Sequence, residues 1–299
     1  MQRYFIRFSY DGTQYHGWQR QPGDASVQET MEGRMQCLFG DGFALTGAGR
    51  TDAGVHASRM WAHFDLPQAL ENPSALVEKL NRMFPDDIAV QEIRPVRPDA
   101  HARFDALSRT YEYRFSLTKN PYDRLYATPL PARLDVAAMQ AAADVLDQYS
   151  DFTSLSKLHT DVKTNNCRIM KAVWEFRDSD GRSIPVCFPD ANQGALPVDS
   201  RDVGREDLPT TTPSCPASGS NYPPQATRLV FTVQADRFLR NMVRALVGTL
   251  LEVGRGKLTT DGFRRIIESK NRCAAGTSMP PQGLFLTDVA YPADIFITD

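Results

Sequence analysis

Apolar and polar residues follow strand and helix patterns along the first third of the chain. Segments rich in aromatic and β-branched residues predict strands at 3–10, 60–64 and 88–93. Ser26 and Glu29 have the spacing of a capping box, which predicts a helix from there to about Phe39. A second helical periodicity covers 74–83. The resulting strand–helix–strand–helix–strand order predicts an α/β layered architecture.

The rest of the chain continues this mixture. Alternation after Ser108 predicts a strand with Tyr111 and Tyr113 on one face. Such a face is typical of ordinary half-buried packing, which is the interpretation that the pattern alone favours. Asp135 suits the N-cap of an alanine-rich helix that runs to about Tyr149. Further strands are predicted at 169–176, 228–235 and 283–289.

The clearest helical pattern covers 236–254. Its apolar residues recur with the period of an α-helix, and Gly254 suits a C-cap. Three arginines, Arg237, Arg240 and Arg244, would fall along one flank of this helix. A solvated basic stripe explains the first two, whereas Arg244 lies between apolar neighbours and is expected to be partly buried and paired.

The stretch 189–227 has a different composition. It contains seven prolines and many serine and threonine residues, with almost no apolar periodicity. Such a segment buries too little surface to offset its chain entropy, so we expect a disordered insertion here. We predict an N-terminal α/β part over 1–105 and a C-terminal α/β part over 106–299 that this insertion interrupts.

Composition narrows the class of protein. The 299 residues are 41% apolar, which suits one large domain or two ordinary ones. The chain has no apolar run of about 18 residues, so we expect no membrane span, and its strand-like start leaves no expected signal peptide. Five widely spaced cysteines without a C-x-x-C pair are typical of reduced thiols in the cytoplasm, and no metal-site spacing is visible.

The net charge of −2 argues against nucleic-acid binding, because most such proteins carry a basic excess. Five of the 36 acidic residues but only two of the 34 basic ones lie within 189–227, so the rest is close to neutral. Any RNA surface must therefore be a local patch, or one assembled across two subunits. The basic run Lys157, His159, Lys163 and Arg168 is either a solvated loop or an RNA-facing one.

Chemistry-bearing residues concentrate in the glycine-rich segment 47–57. Asp52 follows the guanidinium of Arg50, which favours the charged form of the carboxylate. A dinucleotide-binding loop is excluded, because Asp52 stands where a glycine is required and its charge would repel a pyrophosphate. The residues alone leave two interpretations, a plain solvated turn or a catalytic aspartate presented on a rigid turn.

Five motifs, in order, resemble those of the tRNA pseudouridine synthase A family. They are Gly17-Trp-Gln-Arg-Gln21, Gly49-Arg-Thr-Asp-Ala-Gly-Val-His56, His101-Ala-Arg-Phe104 with Arg109-x-Tyr-x-Tyr113, Phe238-Leu-Arg-Asn-Met-Val-Arg244, and Gly283-Leu-x-Leu286. The resemblance spans the chain from Tyr4 to Pro292 apart from the insertion. It implies the pseudouridine synthase fold: an α+β protein of two similar halves, each a mostly antiparallel sheet covered by helices, with the active-site cleft between them.

The resemblance also implies residue roles. Asp52 would be the nucleophile, with Arg244 as its ion-pair partner and Tyr111 packed against the target base. The substrate-binding set would comprise Tyr111, Arg50, Arg244 and Leu286. Further RNA contacts would come from Arg20, Arg109 and Arg240.

The implied activity is isomerisation of uridine to pseudouridine at positions 38, 39 and 40 in the anticodon stem-loop of tRNA. It implies a cytoplasmic homodimer that needs neither cofactor nor metal. One rival hypothesis is a non-catalytic RNA-binding protein or RNA chaperone, for which Asp52, Tyr111 and Arg244 together would be unnecessary. Another is a hydrolase that pairs Asp52 with His56 or His63, although neither histidine has a second carboxylate pattern beside it.

Overall fold

The computed structural model describes residues 1–130, 134–157, 164–185 and 222–297. Its strands are β1 (Gln2–Tyr10), β2 (Thr46–Gly47), β3 (His56–Leu66), β4 (Ile88–Val96), β5 (Ser108–Ser116), β6 (Thr128–Pro129), β7 (Ile169–Arg177), β8 (Ser183–Ile184), β9 (Arg228–Ala235) and β10 (Leu284–Ala290). Its α-helices are α1 (Val27–Phe39), α2 (Pro73–Met83), α3 (Val136–Ala143), α4 (Met242–Gly254) and α5 (Thr260–Glu268).

The strands of this described part form one sheet in the order β4-β1-β3-β10-β5-β9-β7-β8, with β2 beside β3 and β6 beside β5. Most neighbours run antiparallel, whereas β10 is parallel to β3 and β6 is parallel to β5. The last strand, β10, therefore lies between strands from the two parts of the sequence. The mostly antiparallel sheet with five helices confirms the predicted α+β class.

Two hydrophobic clusters pack against this sheet in the described ranges. One joins α1 and α2 to β1, β3 and β4, and the other joins α3, α4 and α5 to β5, β7 and β9. Strand β10 contributes to both, since Leu284 belongs to the second cluster and Leu286 to the first. Tyr111 packs against both clusters and so marks the seam between them. The boundary between 105 and 106 stays a prediction.

The capping box at the start of α1 is half formed. The Ser26 hydroxyl accepts a hydrogen bond from the Glu29 amide at 3.3 Å, while the Glu29 carboxylate pairs with Arg20 at 3.3 Å. The helix then buries Val27, Met31 and Met35 in the first cluster, as its period predicts. The helix capped by Asp135 is shorter than predicted, because α3 ends at Ala143 and a 3₁₀ turn continues to Gln148.

The prediction that one helix covers 236–254 is wrong at its start. Helix α4 begins at Met242, and Asn241 before it has a left-handed backbone with φ 64°. The Asp236 carboxylate instead accepts hydrogen bonds from the amides of Arg168 and Arg237, which holds the chain in a non-helical turn. Arg237 and Arg240 therefore precede the helix and do not form a stripe with Arg244.

Most of the predicted insertion, and His159 and Lys163 of the basic run, lie outside the described residues. The end of the insertion, 222–227, is described and belongs to the packed body. The Tyr222 hydroxyl accepts a hydrogen bond from the Leu134 amide, its ring lies on Phe176, and Ala226 is buried. The prediction of disorder is wrong for these residues, because they lead directly into β9.

None of the helices described is long and apolar enough to cross a membrane.

Candidate active site

The loop that carries Asp52 runs from β2 to β3 and packs against the segment that follows β1. Gly17 has φ +92°, and a side chain there would lie 2.3 Å from the Thr51 carbonyl oxygen, so only glycine fits. The Trp18 amide donates to that same carbonyl at 3.3 Å. The Thr51 hydroxyl in turn lies 2.8 Å from the buried Tyr10 hydroxyl. The Gly-Trp motif therefore fixes the backbone of the Asp52 loop.

Two arginines approach the Asp52 carboxylate from the start of α4 and the turn before it. Arg244 Nη1 lies 3.6 Å from Asp52 Oδ2, and Arg240 Nε lies 3.9 Å from Oδ1. The Arg244 side chain is 20% exposed and also donates from Nε to the Met279 carbonyl at 2.5 Å, whereas Arg240 is 59% exposed. Arg244 is thus the anchored cation and Arg240 the exposed one.

Tyr111 and Leu286 lie directly opposite each other on β5 and β10, so their side chains are cross-strand neighbours. The Tyr111 ring meets Phe238 edge-on at 5.0 Å between centroids. Burial raises the pKa of Tyr111 to about 12, and the negative charge of Asp52 adds to this shift. Within the described residues no hydrogen bond holds its hydroxyl, which stays protonated at neutral pH and able to donate.

Arg109 does not have the exposed position expected of an RNA contact. Its Nη1 donates to the carbonyls of Ala106 at 3.1 Å and Asp236 at 2.7 Å, and its Nη2 donates to those of Ala48 at 2.9 Å and Arg103 at 2.6 Å. Burial lowers the pKa of this guanidinium. Arg109 therefore ties the Asp52 loop to two other segments, and its two terminal nitrogens are engaged with backbone carbonyls.

The other two predicted contacts lie at the surface. Arg50 is exposed, and in the described part of the chain no hydrogen bond or ion pair engages its side chain. Arg20 is also exposed, but it is paired with Glu29. The structure therefore brings Asp52, Arg244 and Arg240 together and places Tyr111 beside Leu286. It keeps Arg20 in a separate surface pair.

Comparison with known proteins identifies the family to which this chain belongs. A family model described as tRNA pseudouridine synthase matches residues 6–105 and 142–292. This chain belongs to the tRNA pseudouridine synthase family. It is 47% identical to a tRNA pseudouridine synthase A of Parabacteroides distasonis, over 99% of this chain and 98% of the relative. It is 48% identical to a protein of the same name from Bacteroides fragilis, over 99% of each chain. The resemblance drawn from the five motifs is confirmed.

In this pseudouridine synthase chain, His56 is part of the support of the loop. It is buried, its Nδ1 accepts from the Gly12 amide at 3.1 Å, and its Nε2 lies 3.1 Å from the Leu125 carbonyl oxygen. Burial lowers the pKa of His56, although the nearby Asp11 carboxylate opposes that shift. The neutral ring stacks on Phe285 at 4.5 Å between centroids. These contacts leave no free ring nitrogen for hydrolysis at Asp52.

His63 also has a structural environment. Its Nδ1 accepts a hydrogen bond from the Ala102 amide at 3.1 Å, and burial together with the nearby Arg3 lowers its pKa to about 4. Neither histidine contacts the Asp52 carboxylate in the residues described, which weakens the hydrolase hypothesis. Likewise, no cluster of histidine, cysteine and carboxylate side chains suited to a metal occurs among those residues.

Sequence reasoning missed two features of this site. Arg240 was predicted only as an RNA contact, but it lies within ion-pair distance of Asp52 as well. The available signal for this contact was the motif from Phe238 to Arg244, which contains both arginines. The four-carbonyl environment of Arg109 had no such signal, because its acceptors come from three separate chain segments.

Proposed function

We propose that this protein isomerises uridine to pseudouridine in the anticodon stem-loop of tRNA, at positions 38, 39 and 40, with Asp52 as the nucleophile. The observation that carries the proposal is the setting of the Asp52 carboxylate. It is 26% exposed, lies between the guanidinium groups of Arg244 and Arg240, and is close enough to Tyr111 to raise the pKa of that phenol. Family membership supports the same activity.

The reaction breaks the bond between C1′ of the ribose and N1 of the base and forms a bond from C1′ to C5. The hydrogen on C5 leaves as a proton, and N1 gains a proton. A carboxylate that adds to the nucleotide and is later expelled divides this exchange into easier steps. The atoms of the substrate are rearranged without water or electrons being consumed, so the chemistry itself calls for no redox cofactor.

The residues around Asp52 have separate tasks in this proposal. Arg244, fixed by the Met279 carbonyl, lies within ion-pair distance of the carboxylate and orients it. Tyr111 packs on the base with Leu286 beside it, and its raised pKa keeps its hydroxyl protonated, so that it can donate a hydrogen bond at neutral pH. Arg50, exposed on the Asp52 loop itself, contacts the phosphate of the flipped nucleotide. Extruding that nucleotide costs a few kcal/mol, which such contacts offset.

The substrate would be recognised mainly through its shape and its phosphates, as is usual for structured RNA. The near-neutral charge of the chain is compatible with a local patch on each subunit of a homodimer. A cytoplasmic homodimer that binds an anticodon stem-loop is therefore part of the proposal. Because phosphate contacts release counterions, the binding should weaken as the salt concentration rises.

The test uses tRNA that carries tritium at C5 of its uridines, with wild type compared against Asp52→Asn and Asp52→Ala. Isomerisation must release this tritium to water, whereas binding alone releases none. We expect release by wild type and none by the two variants, with tRNA affinity retained. Binding without release by wild type would identify a non-catalytic RNA-binding protein, and release by the variants would exclude Asp52 as the nucleophile.

A further inference from the structure

The turn 101–105, between β4 and β5, is held rigidly by its own hydrogen bonds. The His101 amide donates to Asp105 Oδ2 at 2.7 Å, and the Asp105 amide donates back to the His101 carbonyl at 3.1 Å. Inside the turn, the Arg103 amide donates to Nδ1 of His101 at 3.1 Å. The backbone on both sides of Phe104 is therefore fixed.

Bonds from outside the turn add to this rigidity. The Ala102 amide donates to His63 Nδ1 at 3.1 Å, and the Ala102 carbonyl accepts from the Tyr291 hydroxyl at 2.5 Å. The Arg103 carbonyl accepts from Nη2 of Arg109 at 2.6 Å. A mobile loop tip would not need so many anchors, so this turn has a defined shape in the absence of any partner.

Phe104 projects from this rigid turn into solvent. It is 74% exposed, a large fraction for a phenylalanine. The His101 imidazole lies 4.3 Å from its ring centroid, and the Arg103 guanidinium carbon lies 5.8 Å from it. The ring is thus braced by an imidazole and flanked by a cation, while most of its surface has no protein contact. Such a pre-organised ring offers a platform for another flat ring.

The position of the turn ties Phe104 to the active site. The same nitrogen of Arg109, Nη2, donates to the carbonyls of both Ala48 and Arg103. Arg103, the residue before Phe104, is therefore linked to Ala48 of the Asp52 loop through a single nitrogen atom of Arg109. Arg50, whose guanidinium has no hydrogen bond or ion pair within the described residues, comes two residues after Ala48. An exposed ring flanked by the exposed cation of Arg103 complements a nucleic acid, whose bases stack and whose phosphates are anionic.

We propose that Phe104 stacks on a nucleobase next to the target uridine and takes the place of the base that has been flipped out. Flipping a nucleotide leaves its neighbours without a stacking partner, and an aromatic ring on a rigid turn restores that contact. This inference rests on the proposed function, because it needs an RNA substrate whose target base leaves the stack. It gives the His-Ala-Arg-Phe motif a role in holding RNA.

The test compares Phe104→Ala, Phe104→Leu, Phe104→Tyr and Phe104→Trp in the full-length protein. The probe is an anticodon stem-loop RNA with 2-aminopurine beside the target uridine, whose fluorescence falls when it stacks. Ile297→Ala, which removes an exposed apolar side chain near β4, is the matched control. Melting curves establish that each variant is folded. Tritium release by wild type, from the substrate described above, tests the proposed function separately.

We expect Phe104→Ala and Phe104→Leu to lose the fluorescence decrease and to raise the Kd roughly tenfold. Phe104→Tyr, Phe104→Trp and the control should behave as wild type. Normal affinity and fluorescence of Phe104→Ala, with wild type active, would overturn this inference alone. Full activity of Phe104→Leu would also overturn it, because leucine keeps apolar area but has no ring. Absence of both tritium release and RNA binding in wild type would remove the proposed function and this inference together.

Discussion

The surroundings of the Asp52 loop have an inner side, which contains Arg109, Thr51 and Tyr10, and an outer rim, which contains Arg50 and Phe104. The two differ in whether their polar groups have hydrogen-bond partners within the protein. On the inner side, Arg109 donates to four backbone carbonyls, and the Thr51 hydroxyl meets that of Tyr10. On the rim, Arg50 and Phe104 are exposed on segments whose backbones are fixed. On the inner side these polar groups are paired within the protein, whereas on the rim Arg50 has no hydrogen bond or ion pair among the described residues and the Phe104 ring is mostly exposed.

The difference shows why residue type alone does not assign a role. Arg109, Arg20 and Arg50 were all expected to contact RNA. In the structure, however, Arg109 donates to backbone carbonyls and Arg20 forms an ion pair with Glu29. Of these three, only Arg50 has no hydrogen bond or ion pair through its side chain in the described structure. If this distinction is correct, changes on the inner side should reduce stability, and changes at the rim should reduce RNA affinity alone.

The largest effect on stability should come from Arg109→Met, which keeps the length of the side chain but removes every donor. Four carbonyls, three of them in partly buried hydrogen bonds, would lose their partner, so the free energy of unfolding should fall by about 2–4 kcal/mol. Arg109→Lys should recover only part of this, because an ammonium cannot reach the carbonyls that the planar fork spans. Urea denaturation measures both variants.

Arg182→Met is the matched control for that change. Arg182 is 78% exposed and forms a surface pair with Asp180 at 3.2 Å, so its loss should change stability by at most about 1 kcal/mol. Equal unfolding free energies for Arg109→Met and wild type would mean that the inner hydrogen bonds do not hold the loop. The inner side and the rim of the loop would then not differ in their contribution to stability.

Local signals predicted much of the fold. The Ser26 cap, the alternation of β5 and the apolar period of α4 all involve residues close in sequence, and each is present in the structure. The start of α4 was wrong because the decisive bond joins Asp236 to the Arg168 amide, far away along the chain. A helical pattern cannot reveal a competing contact of that kind.

The candidate site was predictable to a different extent. Motif resemblance singled out Asp52, Tyr111 and Arg244, and the ion-pair geometry of Arg244 agrees with the expected partner of Asp52. The surroundings of Arg109, His56 and His63 were not accessible, because each binds atoms contributed by distant segments. Composition cannot show whether an arginine finds carbonyls or solvent.

The next largest effect is expected at the anchored cation. Arg244→Gln removes the fixed charge beside Asp52, and we expect single-turnover tritium release to slow by about 100-fold, roughly 2.7 kcal/mol. RNA affinity should change little, because the Arg244 side chain is mostly buried. Arg240→Gln is the matched variant. Since Arg240 is exposed and farther from the carboxylate, it should lower the rate less and the RNA affinity more.

These two arginines would be indistinguishable if both variants reduced rate and affinity in the same proportion. In that event, the difference between an anchored and an exposed cation would have no functional meaning. Measuring the Kd by fluorescence anisotropy and the rate under single-turnover conditions separates the two quantities. Melting curves recorded alongside exclude a general loss of structure.

A smaller effect, on stability, is expected from His63, which accepts a hydrogen bond from the Ala102 amide in the turn 101–105. His63 is held neutral with a pKa of about 4, so the unfolded chain binds a proton first as the pH falls. The stability from neutral His63 is fully present above about pH 6.5 and is lost as the pH falls toward about 4. Arg3 and His101 favour this shift, while Asp65 and Asp105 oppose it.

His63→Asn should remove this titration while its side-chain oxygen accepts from the Ala102 amide. Between pH 7 and pH 5, wild type should lose about 2 kcal/mol more unfolding free energy than the variant does. Urea denaturation at the two pH values measures the difference. An equal loss in both proteins would show that His63 is not the titrating group.

The smallest effect tests the rim through two exposed arginines that differ in pairing. Arg50→Ala should weaken binding of the anticodon stem-loop by about fivefold and lower the slope of log K against log salt by about one, as for one lost phosphate contact. Arg20→Ala removes a guanidinium already neutralised by Glu29 at 3.3 Å, so the salt slope should stay unchanged. Equal slopes for the two variants would contradict the distinction, because pairing within the protein would then not predict which arginine meets RNA.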